Sequence, residues 1–151
     1  MGFYALKTII TEIIMTRRES RICVFELLYE ADFHKDIDPL EVYDRSLSSR
    51  EAKGSEFAKS LFTLCALNIA EIDKIISESA ENWKLSRMTA VTKAILRMAV
   101  GEMLYTEVPP KACINEAVEI SKVYDEGKAP RFINGVLNKI ARACGKIADG
   151  E

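Results

Sequence analysis

Histidine is the scarcest of the residues that usually carry chemistry, because His34 is the only one in the 151-residue chain. A histidine-based catalytic triad and a metal site built on several histidines are therefore nearly excluded. The four cysteines lie far apart and form no CxxC pair: Cys23, Cys65, Cys113 and Cys144. Three of them sit in apolar helical patterns, which favours free thiols in a reducing compartment over a disulfide scaffold.

The motifs of common enzyme classes are also missing. The sequence contains no P-loop, no GxGxxG, no GxSxG and no HExxH segment. Glu116 and Glu119 lie three residues apart on a predicted helix, but such carboxylate pairs are common on solvated helix faces. We therefore expect a protein that is not an enzyme and that uses no cofactor and no metal ion.

The amino-terminal stretch, residues 1–14, is apolar but is interrupted by Lys7 and Glu12. It is too short to span a bilayer, and no small-residue cleavage site follows it, so we expect neither a membrane anchor nor a secretory signal. We interpret it as an N-terminal extension, either a flexible tail or a short accessory helix. The protein is expected in the cytoplasm.

The composition is typical of a folded domain but does not indicate what that domain binds. The chain is 48% hydrophobic and 29% charged, which is typical of a globular protein rather than a disordered one. The formal net charge of -2 is nearly balanced, so an argument for nucleic-acid binding depends on where the charges sit. The length fits a single compact domain, or two small halves that share one core.

Apolar residues recur at steps of three and four along the chain, and no segment alternates with a period of two. Thr16 and Glu19 have the form of a capping box, and Pro109 with Pro110 interrupts a later helix. The spacing predicts an all-α bundle of six or seven helices without strands. The predicted helices cover about 16–33, 38–47, 54–79, 89–106, 112–124 and 130–144, with a break or single turn at 83–87.

One polar residue interrupts the apolar stripe of the long third predicted helix. Asn68 follows Phe57, Leu61 and Leu64 at helical spacing. We interpret it as a buried amide whose hydrogen bonds are satisfied, rather than as a direct ligand contact.

Three arginines crowd the first two turns of the first predicted helix: Arg17, Arg18 and Arg21. Cations at this end oppose the helix dipole and cost roughly 0.3–1 kcal/mol each when exposed. Cations at the unfavourable end of a helix, with no neighbouring residue in the sequence that compensates them, are typical of a functional site. A solvated basic patch explains the pattern equally well, so both interpretations stay open.

A second basic cluster lies near the carboxyl end, where residues 109–146 hold seven basic and four acidic side chains. Arg131 and Lys139 are eight residues apart, about two helical turns, so both can face one side. Phe132 beside Arg131 suits single-stranded RNA, whose bases stack on aromatic rings. Phe132 also shares a stripe with Val136 and Ile140, and periodicity favours a core position for it.

Several segments together resemble the NusB family of bacterial transcription antitermination factors. The similar segments are Ala94–Val100, Glu102–Tyr105, Val108–Lys111, Ile114–Val118 and Arg131–Leu137 with Lys139. The arginine-rich start with Leu28 and Tyr29, and Asn68 with Asp73 in the middle, also fit the family. The resemblance covers Met15 to about Arg142 in order, and INEAV together with RFINGVL is quite specific.

This resemblance implies a non-enzymatic protein with one domain over residues 15–146, made of two packed helical subdomains at about 15–80 and 81–146, and a tail at 147–151. Family members bind the boxA element of nascent ribosomal RNA transcripts as a heterodimer with NusE, a ribosomal small-subunit protein, in an RNA polymerase antitermination complex. Carried over by position, RNA-binding residues are expected at Arg17, Arg18 and Arg21, with a second group at Arg131, Phe132, Asn134 and Lys139. Asn134 with Gly135 has an alternative role in backbone packing.

One departure and several alternatives stay open. Lys128 and Ala129 stand where many relatives carry an acidic residue and a serine, which puts the RNA preference of this loop in doubt. A second hypothesis is an accessory RNA-binding domain of an RNA methyltransferase. The sequence ends at Glu151 and leaves no room for a cofactor-binding domain, so we expect this hypothesis to be the weaker one. A protein–protein adaptor is the third. A monomer and a homodimer fit the helical pattern equally, and the exact RNA target is not given by it.

Overall fold

The computed structural model describes residues 16–49, 56–80, 84–124 and 127–148. These residues form seven α-helices and one 3-10 turn at Leu85–Arg87, with no strand among them. The all-α prediction is confirmed. The expected extension at 1–14 and the last residues of the expected tail lie outside the described residues. The helices are α1 Arg17–Asp32, α2 Pro39–Ser49, α3 Glu56–Leu67, α4 Ile69–Ser79, α5 Ala90–Tyr105, α6 Pro110–Tyr124 and α7 Ala129–Ala143.

The first helix begins with the predicted capping box. The Thr16 hydroxyl accepts a hydrogen bond from the Glu19 amide at 3.0 Å, and the Thr16 amide donates to the Glu19 carboxylate at 3.3 Å. Two amide groups at this end of the helix, which have no partner within it, are thereby satisfied. The start of α1, and with it the position of the three arginines, is therefore set locally.

Helix α5 is the centre of the fold. Every residue from Ala94 to Met103 is buried, and α1, α3, α4, α6 and α7 all pack against this helix. A helix that is surrounded on all sides loses contact with water around its whole circumference. Its two charged residues in this stretch, Arg97 and Glu102, are therefore placed where each needs a partner of opposite charge.

The prediction of one long helix over 54–79 is wrong. Asn68 leaves the helical conformation, with φ at -114° and ψ at 18°, and separates α3 from α4. Its side-chain amide donates to the carbonyl oxygen of Leu64 at 2.8 Å, so the expected satisfied amide is present, although it is only half-buried. Asparagine competes for backbone hydrogen bonds in this way, and the apolar stripe continues across the break because α4 still packs on α5.

Prolines begin helices here rather than only ending them. Helix α6 starts at Pro110, two residues before the predicted Ala112, because a proline in the first turn has no hydrogen bond to lose. Pro130 similarly lies in the first turn of α7. One hydrophobic core includes residues of all seven helices, and Tyr43 is the residue that α2 contributes to it. The division into halves at about residue 80 stays a prediction. Helices α1 and α5, which lie on either side of it in sequence, pack directly on each other.

None of the helices in the described ranges is both long and apolar enough to cross a membrane.

Candidate nucleic-acid interface

Arg21, the third arginine of α1, forms a buried ion pair with Glu102 of α5. Its Nε lies 2.9 and 3.0 Å from the two carboxylate oxygens, and Nη2 lies 2.8 Å from Oε2. The side chains are 8% and 1% exposed. Burial alone lowers the pKa of Arg21, but the hydrogen bond and charge of Glu102 outweigh it and raise that pKa above its ordinary value. Each charge therefore compensates the other inside the fold.

Arg18 forms a second, more accessible ion pair with Glu116 of α6. Nε and Nη2 of Arg18 donate to the two oxygens of Glu116 at 2.9 and 3.0 Å, which is the bidentate geometry of a guanidinium on a carboxylate. The side chains are 54% and 24% exposed. The hydrogen bond from Arg18 lowers the pKa of Glu116 below its ordinary value. This pair holds the start of α1 against α6.

Glu116 also joins the two ion pairs to each other. Its Oε2 lies 4.0 Å from Nη1 of Arg21, so positive and negative groups alternate from Arg18 through Glu116 and Arg21 to Glu102. We call these four side chains the charge series. It connects α1 with α5 and α6, and it runs from the surface at Arg18 to the interior at Glu102.

Arg17 makes a different contact. Its guanidinium carbon lies 4.1 Å from the centre of the Phe57 ring on α3, and that of Arg21 lies 5.4 Å from the same ring. Phe57 is half-buried and Arg17 is exposed. A cation over an aromatic face is attracted to it and keeps its outer face open to a ligand. Arg17 and Arg18 are thus both accessible at the start of α1, whereas Arg21 is not.

The tertiary structure explains why three cations lie at the unfavourable end of a helix. Arg18 and Arg21 gain carboxylate partners from α5 and α6, which offsets the dipole cost. The sequence analysis missed Glu102 and assigned Glu116 to a solvated face. One signal was available: Glu102 follows a continuous apolar run, and a carboxylate in such a position is rarely buried without a cation. Glu119 does form a surface pair, with Lys122 at 2.8 Å.

The second predicted cluster lies along α7. Arg131 and Asn134 are exposed on its first two turns, and Lys139 is half-buried further along. The carbonyl oxygen and Oδ1 of Asn134 accept from the side-chain amide of Asn138 at 2.9 and 3.3 Å. Phe132 is half-buried and packs against the core, in line with the periodicity of its stripe. Lys128, at the helix start, is exposed. Helix α7 packs on α6, the helix that carries Glu116.

A further ionic cluster lies toward the other end of α1. Arg97 of α5 donates to both oxygens of Asp73 at 2.8 Å and to Asp32 at 2.9 Å, and Lys93 pairs with Asp32 at 3.2 Å. Asp32 is the last residue of α1 and Asp73 belongs to α4. The cluster therefore ties three helices together and gives Asp73 a structural role.

An aromatic groove lies beside the second half of α1 and was not predicted. It is lined by Phe25 and Tyr29 of α1, by Phe33 directly after that helix and by Tyr124 of α6, with Glu26 and Glu30 beside them. Phe33 is 61% exposed and Tyr124 is 43% exposed. Glutamates next to exposed rings are unfavourable for a polyanion and favourable for a basic protein segment. Its aromatic residues come from two helices that are far apart in sequence, so periodicity could not reveal it.

Comparison with known proteins identifies the family. The profile described as the NusB family matches residues 18–142. The chain belongs to the NusB family. It is 39% identical to the transcription antitermination protein NusB of Bacillus mycoides over 127 residues, which is 83% of this chain and 97% of that protein. It is 40% identical to the protein of that name from Oleidesulfovibrio alaskensis over 136 residues, covering 85% and 88%.

Solved structures of NusB proteins share the fold. A structure of T. maritima NusB matches with a TM-score of 0.74 at 31% identity, covering 84% of this chain and 91% of that one. NusB from Aquifex aeolicus, solved in solution, matches with a TM-score of 0.71 at 27% identity, covering 89% and 95%. A crystal structure of antitermination factors NusB and NusE in complex with double-stranded RNA contains a chain with a TM-score of 0.74 at 29% identity, covering 84% and 96%. The NusB resemblance of the sequence is confirmed.

Proposed function

We propose that this chain is a transcription antitermination factor without catalytic activity. It binds boxA-type RNA of nascent ribosomal RNA transcripts as a heterodimer with NusE, within an RNA polymerase antitermination complex. Such a factor acts where transcripts are made, so a cytoplasmic location is part of the proposal. Family membership over residues 18–142 supports it, together with a similar chain solved with NusE and RNA.

The observation that carries the proposal is the exposure of Arg17 and Arg18 at the start of α1, in the fold of an RNA-bound relative. We assign these two side chains to RNA phosphates. Arg21, at 8% exposure, contributes by holding the charge series in place rather than by direct contact. Arg131 and Lys128, both exposed at the start of α7, form the second contact region with Asn134 and Lys139. The ring of Phe132, which is half-buried against the core, supports α7 and is the candidate for base stacking in this region.

A fluorescence titration with boxA-type single-stranded RNA, with and without NusE, tests the proposal. A duplex of the same sequence forms a second arm, because the solved NusB–NusE relative holds double-stranded RNA. If about four phosphates are contacted, counterion release predicts roughly fifty-fold weaker binding to the single strand at 200 mM than at 50 mM salt. Binding that NusE does not strengthen would contradict the proposal.

The aromatic groove favours a second candidate function, a protein adaptor without an antitermination role. Its occupant would be a protein segment that places basic side chains against Glu26 and Glu30 and an apolar side chain against the exposed ring of Phe33, which itself contacts Tyr29. Under this alternative, Phe33→Ser abolishes partner binding, and replacing Arg17 and Arg18 by Gln changes nothing. Leu67→Ser is the matched control, because Leu67 is an apolar side chain of α3 that is 75% exposed.

A further inference from the structure

Glu116 holds Arg18 in the way that an RNA phosphate would. The carboxylate accepts hydrogen bonds from Nε and Nη2 of Arg18 at 2.9 and 3.0 Å. A phosphate group binds the same planar fork of a guanidinium with the same two-oxygen geometry. An RNA phosphate that approaches Arg18 along this edge therefore meets a site that is already occupied by the protein's own carboxylate.

The accessibility of the two carboxylates in the charge series differs sharply. Glu102 is 1% exposed and is enclosed with Arg21, whereas Glu116 is 24% exposed and its partner Arg18 is 54% exposed. A ligand can therefore replace Glu116 on Arg18 without opening the core. The hydrogen bond from Arg18 lowers the pKa of Glu116, so this carboxylate is charged at neutral pH and repels any phosphate that comes near.

We propose that Glu116 is an intramolecular competitor for Arg18, and that it sets how strongly this surface binds RNA. The inference rests on the proposed function, in which RNA is the ligand of Arg17 and Arg18. An RNA that offers one isolated phosphate does not displace Glu116, because the exchange gains one ion pair and loses another. An RNA that also contacts Arg17 and the start of α7 gains additional ion pairs, and displacement becomes favourable. Glu116 is thus a specificity-determining residue.

The test is a titration of the whole chain, with NusE, using boxA-type RNA between 50 and 200 mM salt. Glu116→Gln removes the charge and keeps the shape of the side chain. We expect RNA binding about five-fold tighter at low salt, the factor that one unit charge ~4 Å away produces in water. The slope of log affinity against log salt should change by less than the ~0.7 of one phosphate contact on a single strand, because boxA-type RNA already contacts Arg18 in the unchanged protein. Glu119→Gln is the matched control, because it removes one exposed carboxylate from the same helix and is expected to change affinity less than about two-fold.

Further variants distinguish competition between Glu116 and RNA for Arg18 from other effects of the Glu116→Gln substitution. In a background of Arg18→Ala, Glu116→Gln should not increase the affinity for RNA, because Arg18 is no longer present for Glu116 to bind. A gain that persists in this background, or Glu116→Gln binding no tighter than Glu119→Gln, overturns the inference while the proposed function stands. If the unchanged protein shows no NusE-dependent RNA binding, the proposed function fails and the inference fails with it. Melting curves of Glu116→Gln verify folding, and Glu116→Ala, which also removes the charge, is the substitute if that variant does not fold.

Discussion

The guanidinium of Arg21 and the carboxylate of Glu102 meet across 81 positions of sequence, with Nε 2.9 Å from Oε1 and 3.0 Å from Oε2. The contact fastens the first helix to the central one at a point where both side chains are withdrawn from water. Two features that are unfavourable in isolation, a cation at a helix start and an acid inside an apolar helix, therefore compensate each other.

Breaking this pair should destabilise the protein strongly. Glu102→Gln leaves the charge of Arg21 buried without its main counter-charge, and we expect the free energy of unfolding in urea to fall by about 3 kcal/mol. The double variant with Arg21→Met and Glu102→Leu replaces both charges by apolar groups and should lose less than Glu102→Gln alone. If the free energy of unfolding falls at least as much in the double variant as in Glu102→Gln, the uncompensated charge of Arg21 is not the cause of the destabilisation.

Removing the two exposed arginines should weaken RNA binding without unfolding the protein. Changing Arg17 and Arg18 to Ala should reduce the slope of log affinity against log salt by about 1.4, the value for two phosphate contacts on a single strand. The melting temperature should change little, because both side chains are exposed and water screens the ion pair that Arg18 forms. Changing Arg45 and Arg87 to Ala is the control, since it removes two exposed cations far from α1 in sequence. Equal losses of affinity in both double variants would argue against a specific site.

Stability should fall in acid as two carboxylates become protonated. Burial alone raises the pKa of Asp32, but Arg97 and Lys93 outweigh it, and Arg18 lowers the pKa of Glu116; both end below their ordinary values. A lowered native pKa contributes stability that is fully present above the unfolded value, about 3.9 for Asp and 4.3 for Glu, and that is lost as the pH falls through the native one. The melting temperature should therefore decline below about pH 4.5.

The variant Glu116→Gln isolates one part of this decline. Its melting temperature should fall less steeply in acid than that of the unchanged protein, because the substituted side chain no longer takes up a proton. The two curves are recorded between pH 3 and 7 at one ionic strength. Parallel curves throughout that range would show that Glu116 contributes nothing to the acid transition.

The close approach of α3 and α5 depends on a glycine. A Cβ on Gly101 would overlap Sγ of Cys65, which is fully buried. Gly101→Ala should therefore cost about 1–3 kcal/mol of unfolding free energy. Cys65→Ala makes room for the added methyl group, so the double variant should be more stable than the sum of the two single effects predicts. Simple additivity in urea denaturation would show that the overlap is relieved elsewhere.

The sequence predicted the ends of helices well where residues close together in the chain determine them. Thr16 with Glu19 predicted the start of α1, because a capping box is complete within four residues. Asn68 was harder, because an amide on an apolar stripe fits a continuous helix and a break equally well. The apolar periodicity persists through the break, since α3 and α4 both pack on α5, and so it predicted one helix where there are two.

Local pattern determined the all-helical fold of this protein, the position of three arginines at the start of its first helix and its membership of the NusB family. Those properties depend on spacing and on motifs that lie within short segments. Only the tertiary structure decided which arginine is available to a ligand. Arg17, Arg18 and Arg21 are alike in sequence, but Phe57, Glu116 and Glu102 reach them from three other helices. A charge is free or compensated according to what lies within a few ångströms, and those neighbours come from distant parts of the chain.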